Sequence, residues 1–402
     1  MNKTKVFFLI VLLLANVPFL SACGTTSGGV SLRELNELNV VMVTGIDYDN
    51  EKKEYVLSIQ SVKPATTKGG GISKESVYTA KATGKTIMEA SKNLRASTSG
   101  KLIWFHSKSV ILGGDLVKSK DLKEVVDFLA RNREIRLTAW VLTTHGKATD
   151  IITAKPNSEV TLGDELEGII SNQSEWGKAT VLTLKDVVNL YENPHQGFVT
   201  GHIVQKEGIK EGKKILAIEG ATVIFRRRFL MHLSNEEVKP YHLLKKVEDR
   251  EPEMIFNIPL EKDDNEEELN TAVKVEVKDR KKEVTFENGI PAISIQLNMD
   301  ATIMETGTEE NLRTDQTNEK VLKEVTRQIR NHTERLVYKV QKEKNVDIFD
   351  FSGLIHRKEK KYWREHEKDW DQIYPEIPIQ LSVDWNIVRN GMITQIKQGE
   401  QQ

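Results

Sequence analysis

Residues 271–299, TAVKVEVKDRKKEVTFENGIPAISIQLNM, decide the fold of the C-terminal part of this 402-residue chain. Apolar and charged residues alternate, which is the period of a strand with one buried and one solvated face. The apolar positions are Val273, Val275, Val277, Val284, Phe286, Ile293, Ile295, Leu297 and Met299. Asn288-Gly289 interrupts the alternation with the residue pair that tight hairpin turns favour. The stretch therefore predicts a long antiparallel hairpin.

Two further elements complete this sheet. Residues 318–344 predict one long amphipathic helix, about 40 Å in length, which is enough to cross a whole sheet. Its apolar stripe consists of Val321, Val325, Ile329, Leu336 and Val340. Residues 377–387, IPIQLSVDWNI, again alternate with period two and predict a closing strand.

The N-terminal part alternates short strands with short helices. Residues 38–46 and 55–62 predict a hairpin around Asp49-Asn50, and residues 77–82, 103–112 and 135–143 predict further strands. Helices are predicted at residues 85–95, 121–130, 159–171 and 184–191. Such alternation is typical of a mixed sheet covered by helices.

Changes in composition and in the pattern of predicted strands and helices divide the chain into segments. We predict a signal peptide at 1–22, an N-terminal α+β domain at 23–196, a small middle module at 197–250 and a C-terminal α+β domain at 251–402. The middle module is punctuated by Gly208, Gly212 and Gly220 between short β-like runs. The predicted fold class is α+β, with three domains built from mixed or antiparallel sheets and packed helices.

The first 23 residues predict the compartment. Lys3 and Lys5 precede a fifteen-residue apolar run, and Leu20-Ser21-Ala22-Cys23 follows as a bacterial lipobox. The alternative, an ordinary uncleaved anchor, leaves the position of Cys23 unexplained, because this is the only cysteine of the chain. Lipidation is therefore predicted at Cys23, and the mature protein is expected outside the cytoplasmic membrane, held by its diacylglycerol.

The charge balance of the chain argues against one class of partner, nucleic acid. The mature chain of 380 residues carries 56 basic and 59 acidic side chains, so its net charge is about −3. Nucleic-acid binding needs a concentrated basic face, and this balance argues against it. With Cys23 acylated, no thiol remains for a disulfide, a thiolate metal site or a cysteine nucleophile.

Sequence patterns for catalysis and for cofactors are weak. Gly84-Lys85-Thr86 lacks the earlier glycine of a phosphate loop, because Thr79 stands there, and a helix start capped by Thr83 is the favoured interpretation. Among nine histidines, only His356 and His366 lie on one charged stretch, with a spacing that does not predict a metal site. We predict no catalytic residue, no metal and no cofactor, although a triad of distant residues stays open.

The candidate partner interface is the aromatic stretch 348–374. Trp363, with Arg364, Lys360 and Lys361 around it, has the composition of an interface core with a basic rim. The alternative is that the rings of this stretch pack the long helix onto the sheet, and we favour it for most of them.

The same stretch carries a family resemblance. Asp347-Ile348-Phe349-Asp350-Phe351, followed by His356-Arg357, Trp363, Trp370 and Pro375, resembles the C-terminal domain of the Ger(x)C family, the C subunits of spore germinant receptors. Residues 33–38 before a β-branched strand, with Gly45-Ile46-Asp47, resemble the N-terminal signature of that family, and the lipobox is similar as well.

The resemblance implies a three-domain α+β fold and a non-catalytic lipoprotein subunit on the outer face of the spore inner membrane. It implies partnership with a membrane-embedded A subunit and a transporter-like B subunit, in assembly or signal relay during nutrient-triggered germination. Whether this subunit contacts the small-molecule germinant stays open. The alternative function is that of a solute-binding lipoprotein of an import system, which needs two similar α/β lobes around a cleft.

Overall fold

The computed structural model describes residues 37–64, 76–209, 212–246, 251–262, 268–306 and 315–390. The predicted signal peptide, Cys23 and the tether that follows lie outside these ranges. Helices and strands are both abundant, and the strands form two separate sheets, so the predicted α+β class is confirmed. The three-domain division stays a prediction.

The first sheet and its helices occupy the chain up to residue 244. Its strands are β1 (Leu38–Asp49), β2 (Glu54–Val62), β3 (Val77–Gly84), β4 (Lys101–Ile103), β5 (Ser109–Leu112), β6 (Trp140–Thr143), β7 (Leu182–Thr183), β8 (Phe198–Glu207), β9 (Lys214–Phe225) and β10 (Arg228–Leu233). Its helices are α1 (Ile87–Ala96), α2 (Gly114–Ser119), α3 (Lys123–Arg131), α4 (Ala148–Ile152), α5 (Leu162–Trp176), α6 (Leu184–Tyr191) and α7 (Asn235–Leu244).

Strand order in this sheet is β10-β9-β8-β6-β5-β1-β2-β3. The centre is parallel, since β1, β5, β6 and β8 run in one direction, and both edges are antiparallel hairpin strands. The predicted hairpin of the first two strands is present. Helices on both sides cover the central strands, which explains why β1 and β5 are nearly continuous apolar runs.

The segment predicted as a middle module contributes three strands to this first sheet. β8 pairs in parallel with β6, and β9 and β10 follow as antiparallel neighbours toward the edge. The change in sequence pattern at Gly197 therefore marks the point, within one sheet, where strands connected by helices give way to strands connected by hairpins. Arg226 and Arg227 form the turn between β9 and β10, and both have positive φ.

Helix α1 begins differently from the prediction. The hydroxyl of Thr86, not that of Thr83, accepts a hydrogen bond from the backbone N–H of Glu89, at 3.1 Å. The Glu89 carboxylate in turn accepts from the backbone N–H of Lys85, at 2.7 Å. Thr83 is still in β3 and cannot serve as the cap, because the strand runs one residue further to Gly84.

The second sheet contains β11 (Met254–Lys262), β12 (Glu268–Glu287), β13 (Ile290–Thr306) and β14 (Ile379–Asn390), in that order. β12 and β13 form the predicted long hairpin, and Asn288 and Gly289 take the positive φ values of 52° and 82° that such a tight turn requires. Val273, Val275 and Val277 are buried as predicted. Burial declines toward the turn, where Phe286 is 42% exposed and packs on the ring of Tyr362.

The long helix α8 (Asp315–Val337) covers this sheet and continues as a π-helical turn over Tyr338–Glu343. Val321, Val325 and Ile329 of its predicted stripe are fully buried. Contacts with both sheet edges fix the helix: Gln328 donates to the carbonyl oxygen of Asn257 on β11, and the indole N–H of Trp385 on β14 donates to Thr326. The predicted long amphipathic helix is confirmed.

Three short helices connect α8 to β14, namely α9 (Phe351–Lys358), α10 (Lys360–His366) and α11 (Trp370–Ile373). Their apolar side chains join one core with the second sheet, α7 and α8. No helix in the described part of the chain combines the length and the apolar character needed to cross a bilayer.

Candidate functional site: the segment between the two sheets

Trp363, the centre of the predicted interface, lies in the core. Only 5% of its surface is exposed. Its ring centroid is 5.3 Å from that of Trp370, 5.2 Å from that of His195 and 5.7 Å from that of His356. Trp363 therefore lies in the protein core, and its ring packs α10 against α11 and against the loop between α6 and β8 that carries His195. Phe349, Phe351, Trp370 and Tyr374 are buried in the same core.

The basic side chains next to Trp363 in the sequence lie on the protein surface. Lys360, Lys361 and Arg364 are exposed on α10. Tyr362, between them, is half-buried and links this helix to the exposed ring of Phe286, with the two centroids 5.0 Å apart. We call Lys360, Lys361 and Arg364 the basic rim. Its role as a partner interface stays a prediction.

Asp347 organises the start of this segment. Its carboxylate is 1% exposed and accepts three backbone hydrogen bonds, from the N–H groups of Phe349, Phe351 and Ser352 at 3.0, 3.1 and 2.7 Å. These donors include the first N–H groups of α9, which have no partner within the helix. Asp350, with φ 64°, makes the sharp turn that lets one carboxylate reach all three.

Two lysines surround Asp347. Lys245, at the end of α7, donates to the carbonyl oxygen of Ile348 at 3.3 Å, and Lys282 of β12 donates to that of Phe349 at 3.5 Å. Burial lowers the pKa of Lys245 and lowers that of Lys282 to about 8, because a charged ammonium loses hydration there. Burial also raises the pKa of Asp347, against the effect of its backbone donors.

The segment also joins the two sheets. The N–H of Gly197, which leads into β8, donates to the carbonyl oxygen of Asp347 at 2.9 Å. At the other end of the segment, Arg226 of the β9–β10 turn pairs with Asp371 at 2.5 Å. His195 contacts the Glu367 carboxylate at 3.3 Å as well as the Trp363 ring. The arrangement fixes the geometry between the sheets.

The chemistry of these groups is structural. The Asp347 carboxylate is buried and its oxygens are occupied by backbone donors, so a substrate cannot reach it. The Gly84-Lys85-Thr86 sequence does not form a phosphate cradle, because Thr86 and Glu89 accept the N–H groups that a phosphate would need. His356 and His366 do not converge: His356 stacks on Trp363, whereas His366 stacks on Tyr362.

Sequence reasoning missed one group of residues. His145, His202 and His232 come together on one face of the first sheet, although 57 and 30 residues separate them along the chain. No spacing rule for metal ligands covers such distances, so only the strand order reveals the cluster. We call these three residues the histidine cluster.

Comparison with known proteins matches both halves of the chain. The family model described as "Spore germination protein N-terminal domain" matches residues 31–204, and the model "Spore germination B3/ GerAC like, C-terminal" matches residues 219–391. Together they cover most of the 402 residues.

Curated relatives from Bacillus subtilis (strain 168) match over nearly their whole length. The chain is 24% identical to spore germination protein KC, with 96% of each chain covered. It is 23% identical to the putative spore germination protein YfkR, over 92% of this chain and 95% of the relative. Spore germination protein B3 is 20% identical, with 90% and 94% covered.

The fold agrees with a solved structure. The crystal structure of the GerBC protein is similar with a TM-score of 0.55, covering 86% of this chain and 96% of that one at 17% identity. The two family models, the full-length relatives and this shared fold together lead to one conclusion: the chain belongs to the Ger(x)C family of spore germination proteins.

Proposed function

We propose that this protein is a non-catalytic, lipid-anchored subunit of a nutrient germinant receptor, working with an A and a B subunit on the outer face of the spore inner membrane. The observation that carries the proposal is the match of the two germination family models to residues 31–204 and 219–391. Its role is assembly of the receptor or relay of its signal.

The lipobox supports the anchored part of the proposal. Leu20-Ser21-Ala22-Cys23 follows an apolar run too short to span a bilayer comfortably, and two acyl chains on one cysteine give stable attachment. The eight residues after Cys23 span about 15 Å as a flexible chain, so the folded body stays near the headgroups.

A role through contact is supported by the site. Inside the protein, the polar groups of the segment 347–377 form hydrogen bonds that stabilise the fold. The basic rim and the half-exposed Phe286 ring lie on the surface. An aromatic ring beside cations is suited to a protein partner or to acidic headgroups beneath it. We therefore place the proposed partner contact at the basic rim together with Phe286, instead of at Trp363.

The alternative of a solute-binding lipoprotein is less well supported. Such proteins enclose their ligand between two similar α/β lobes. In the described part of this chain, one sheet has a parallel centre and helices on both sides, whereas the other is a four-stranded sheet dominated by one long hairpin. These two halves are not similar lobes.

Replacement of the lipidated residue tests the proposal. In spores that carry Cys23→Ala as the only copy, we expect an uncleaved precursor without acyl mass, and germination with nutrients reduced to the level of a deletion strain. Ser27→Ala, in the tether, is the matched control and is expected to behave as wild type. Normal nutrient germination in the deletion strain, or an acylated mature terminus at another residue, would contradict the proposal.

A further inference from the structure

The histidine cluster is assembled by four neighbouring strands. His202 lies on β8 and His232 on β10, while His145 follows the end of β6. Thr143 pairs with His202 across β6 and β8, and Thr222 of β9 pairs with His232. The ring centroids are 3.9 Å apart for His145 and His202, 4.2 Å for His145 and His232, and 4.7 Å for His202 and His232.

Two threonine hydroxyls orient the rings of His202, which is buried, and of His232, which is partly buried. Nδ1 of His202 is 3.2 Å from Oγ1 of Thr143, and Nδ1 of His232 is 3.1 Å from Oγ1 of Thr222. The Thr143 hydroxyl donates to the carbonyl oxygen of Gly201 at 3.4 Å, and the two hydroxyls are 2.6 Å apart. The network is satisfied when Thr222 donates to Thr143 and each Nδ1–H donates to its threonine.

That assignment leaves the Nε2 lone pairs available. Nε2 of His202 and Nε2 of His232 are buried and have no hydrogen-bond partner among the described residues. A buried polar atom without a partner costs about 1–3 kcal/mol. Here two such atoms lie on adjacent rings, and each ring is held by a hydroxyl at its other nitrogen. Metal-binding histidines are oriented in a similar way, by a hydrogen bond at the nitrogen that does not bind the metal.

The third ring completes the group from the solvent side. His145 is exposed, and its ligand nitrogen lies within 4.8 Å of those of the other two residues. Its main chain is held firmly: its carbonyl oxygen is so close to Gly114 that a Cβ there would approach it to 2.1 Å, and the N–H of Gly114 donates to the carbonyl oxygen of Gly146.

We propose that His145, His202 and His232 form a binding site for a divalent transition-metal ion, with Zn²⁺ as the best fit and a fourth position open to water. The chemistry of the donors selects this class. Three imidazoles without a carboxylate suit zinc and its neighbours, whereas Mg²⁺ and Ca²⁺ require oxygen ligands. Three protein ligands and one open position are a common zinc arrangement.

The geometry needs only side-chain adjustment. Zinc–nitrogen distances of about 2.1 Å in a tetrahedral site separate the nitrogens by roughly 3.4 Å. The ligand nitrogens of the cluster lie within 4.8 Å of one another, so modest rotations of all three rings bring them to this separation. Burial lowers the pKa of His202 to about 3 and that of His232 to about 4, so both rings are neutral near pH 7.

One nearby cation opposes metal binding. Lys118 of α2 is close enough to lower the pKa values of all three histidines, and its ammonium lies 6.0 Å from the ring centroid of Phe229. Its side chain is exposed, so it can turn toward solvent when an ion binds. A bound ion would link the loop after β6 to β8 and to β10, and so stiffen the hairpin edge of the first sheet.

Metal titration of the purified full-length chain, freed of metal by chelation and carrying no histidine tag, tests the proposal. We expect one Zn²⁺ per chain in calorimetry, and Co²⁺ should give the intense visible absorption of a tetrahedral site. His145→Ala should weaken Zn²⁺ binding at least tenfold, and because His145 is exposed this variant should fold normally. His106→Ala, at another exposed histidine, is the matched control and should bind as wild type.

Three results would overturn the site. They are the absence of stoichiometric Zn²⁺ binding by the wild type, a Co²⁺ spectrum of the octahedral type, and equal affinity of the wild type and His145→Ala. The variant Cys23→Ser is titrated in parallel, and it should retain the full affinity. Loss of binding with this variant would be a fourth contradicting result, because it would assign the ion to the thiol.

Discussion

The segment 347–377 and the histidine cluster both place polar groups inside the protein, but they are built in opposite ways. Asp347 takes its three hydrogen-bond donors from residues two to five positions further along the chain. The histidine cluster draws its rings from three separate strands or strand ends, and two of its buried nitrogens have no partner among the described residues. The acceptors of Asp347 are satisfied by its own segment, whereas the unpaired nitrogens of the histidine cluster are the ligands of the proposed metal ion.

The difference teaches which sites a sequence can show. A site made within one short segment leaves a compact pattern, such as Asp347-Ile348-Phe349-Asp350-Phe351, which can be compared between proteins. A site made by strand order leaves isolated residues that look like ordinary core or surface histidines. The following predictions test whether the first region is structural and whether the second differs from a fully paired histidine.

The largest effect is expected at Trp363. Because this ring is 5% exposed, Trp363→Ala should lower the free energy of unfolding by about 3–5 kcal/mol, measured by denaturant unfolding of the purified protein. In spores, the amount of the protein and the rate of germination should fall together. Tyr338→Ala, at a side chain that is 60% exposed, is the control and should stay within about 0.5 kcal/mol of wild type. Equal unfolding of Trp363→Ala and wild type would show that the ring is not part of the core.

A smaller effect is expected from Asp347→Asn. The amide keeps the shape, but it replaces one acceptor oxygen by a donor that faces backbone N–H groups, at a cost of about 2–3 kcal/mol in the free energy of unfolding. Asp371→Asn is the matched control, because the Asp371–Arg226 pair is about half exposed and such pairs contribute about 1 kcal/mol or less. If both variants unfold alike, Asp347 is not the organising group of its segment.

The smallest of the three effects on stability is expected at His242, a buried histidine that has a hydrogen-bond partner and lies outside the histidine cluster. His242 is 4% exposed, its Nε2–H donates to the carbonyl oxygen of Ala179 at 3.0 Å, and burial lowers its pKa to about 4. Since the unfolded chain binds this proton near pH 6.5 and the folded chain does not, stability falls as the pH drops below 6.5. Between pH 7.5 and pH 5 the loss from His242 is about 2 kcal/mol.

Unfolding of His242→Gln at both pH values measures this contribution. The variant should lose about 2 kcal/mol less than wild type over that interval, and its affinity for Zn²⁺ should be unchanged, because a paired histidine outside the cluster has no part in the metal site. The same pH dependence in variant and wild type would show that His242 is already protonated near its ordinary pKa when folded.

Much of the fold could be predicted, because a strand or helix that is buried on one face repeats its apolar residues with the period of that structure. Period-two alternation predicts the strand that contains Val273, Val275 and Val277, because its opposite face is solvated. Helical spacing predicts the helix that covers this strand, with Val321, Val325 and Ile329 buried against the sheet. The strand predicted at residues 135–143 shrinks to Trp140–Thr143. That predicted at 103–112 shrinks to Ser109–Leu112, apart from Ile103, which ends β4. Outside these strands, Trp104 and Ile135 are buried in loops or turns, whereas Phe105 and Leu137 are exposed. Hydrophobic periodicity does not distinguish such residues from those of a strand.

Less of the site could be predicted. The apolar and charged composition around Trp363 is the same for a core with a solvated edge and for an interface, and only the packing against His195, His356 and Trp370 decides between them. The pairing of Lys245 and Lys282 with the segment at Asp347 depends on contacts between residues 103 and 67 positions apart, which carry no local signal.

Co-isolation of receptor subunits tests most directly the claim that this protein works by contact within a germinant receptor. The tagged chain is recovered from detergent-solubilised inner membranes of spores, and the A and B subunits in the eluate are quantified. The wild type should bring both. A triple variant of the basic rim, Lys360→Ser, Lys361→Ser and Arg364→Ser, should recover less of at least one of the two subunits at equal abundance of the chain. The matched surface control, Lys85→Ser, Lys92→Ser and Arg95→Ser at and before α1, should recover as much of both as wild type. Recovery of the wild-type chain with neither subunit would contradict the account.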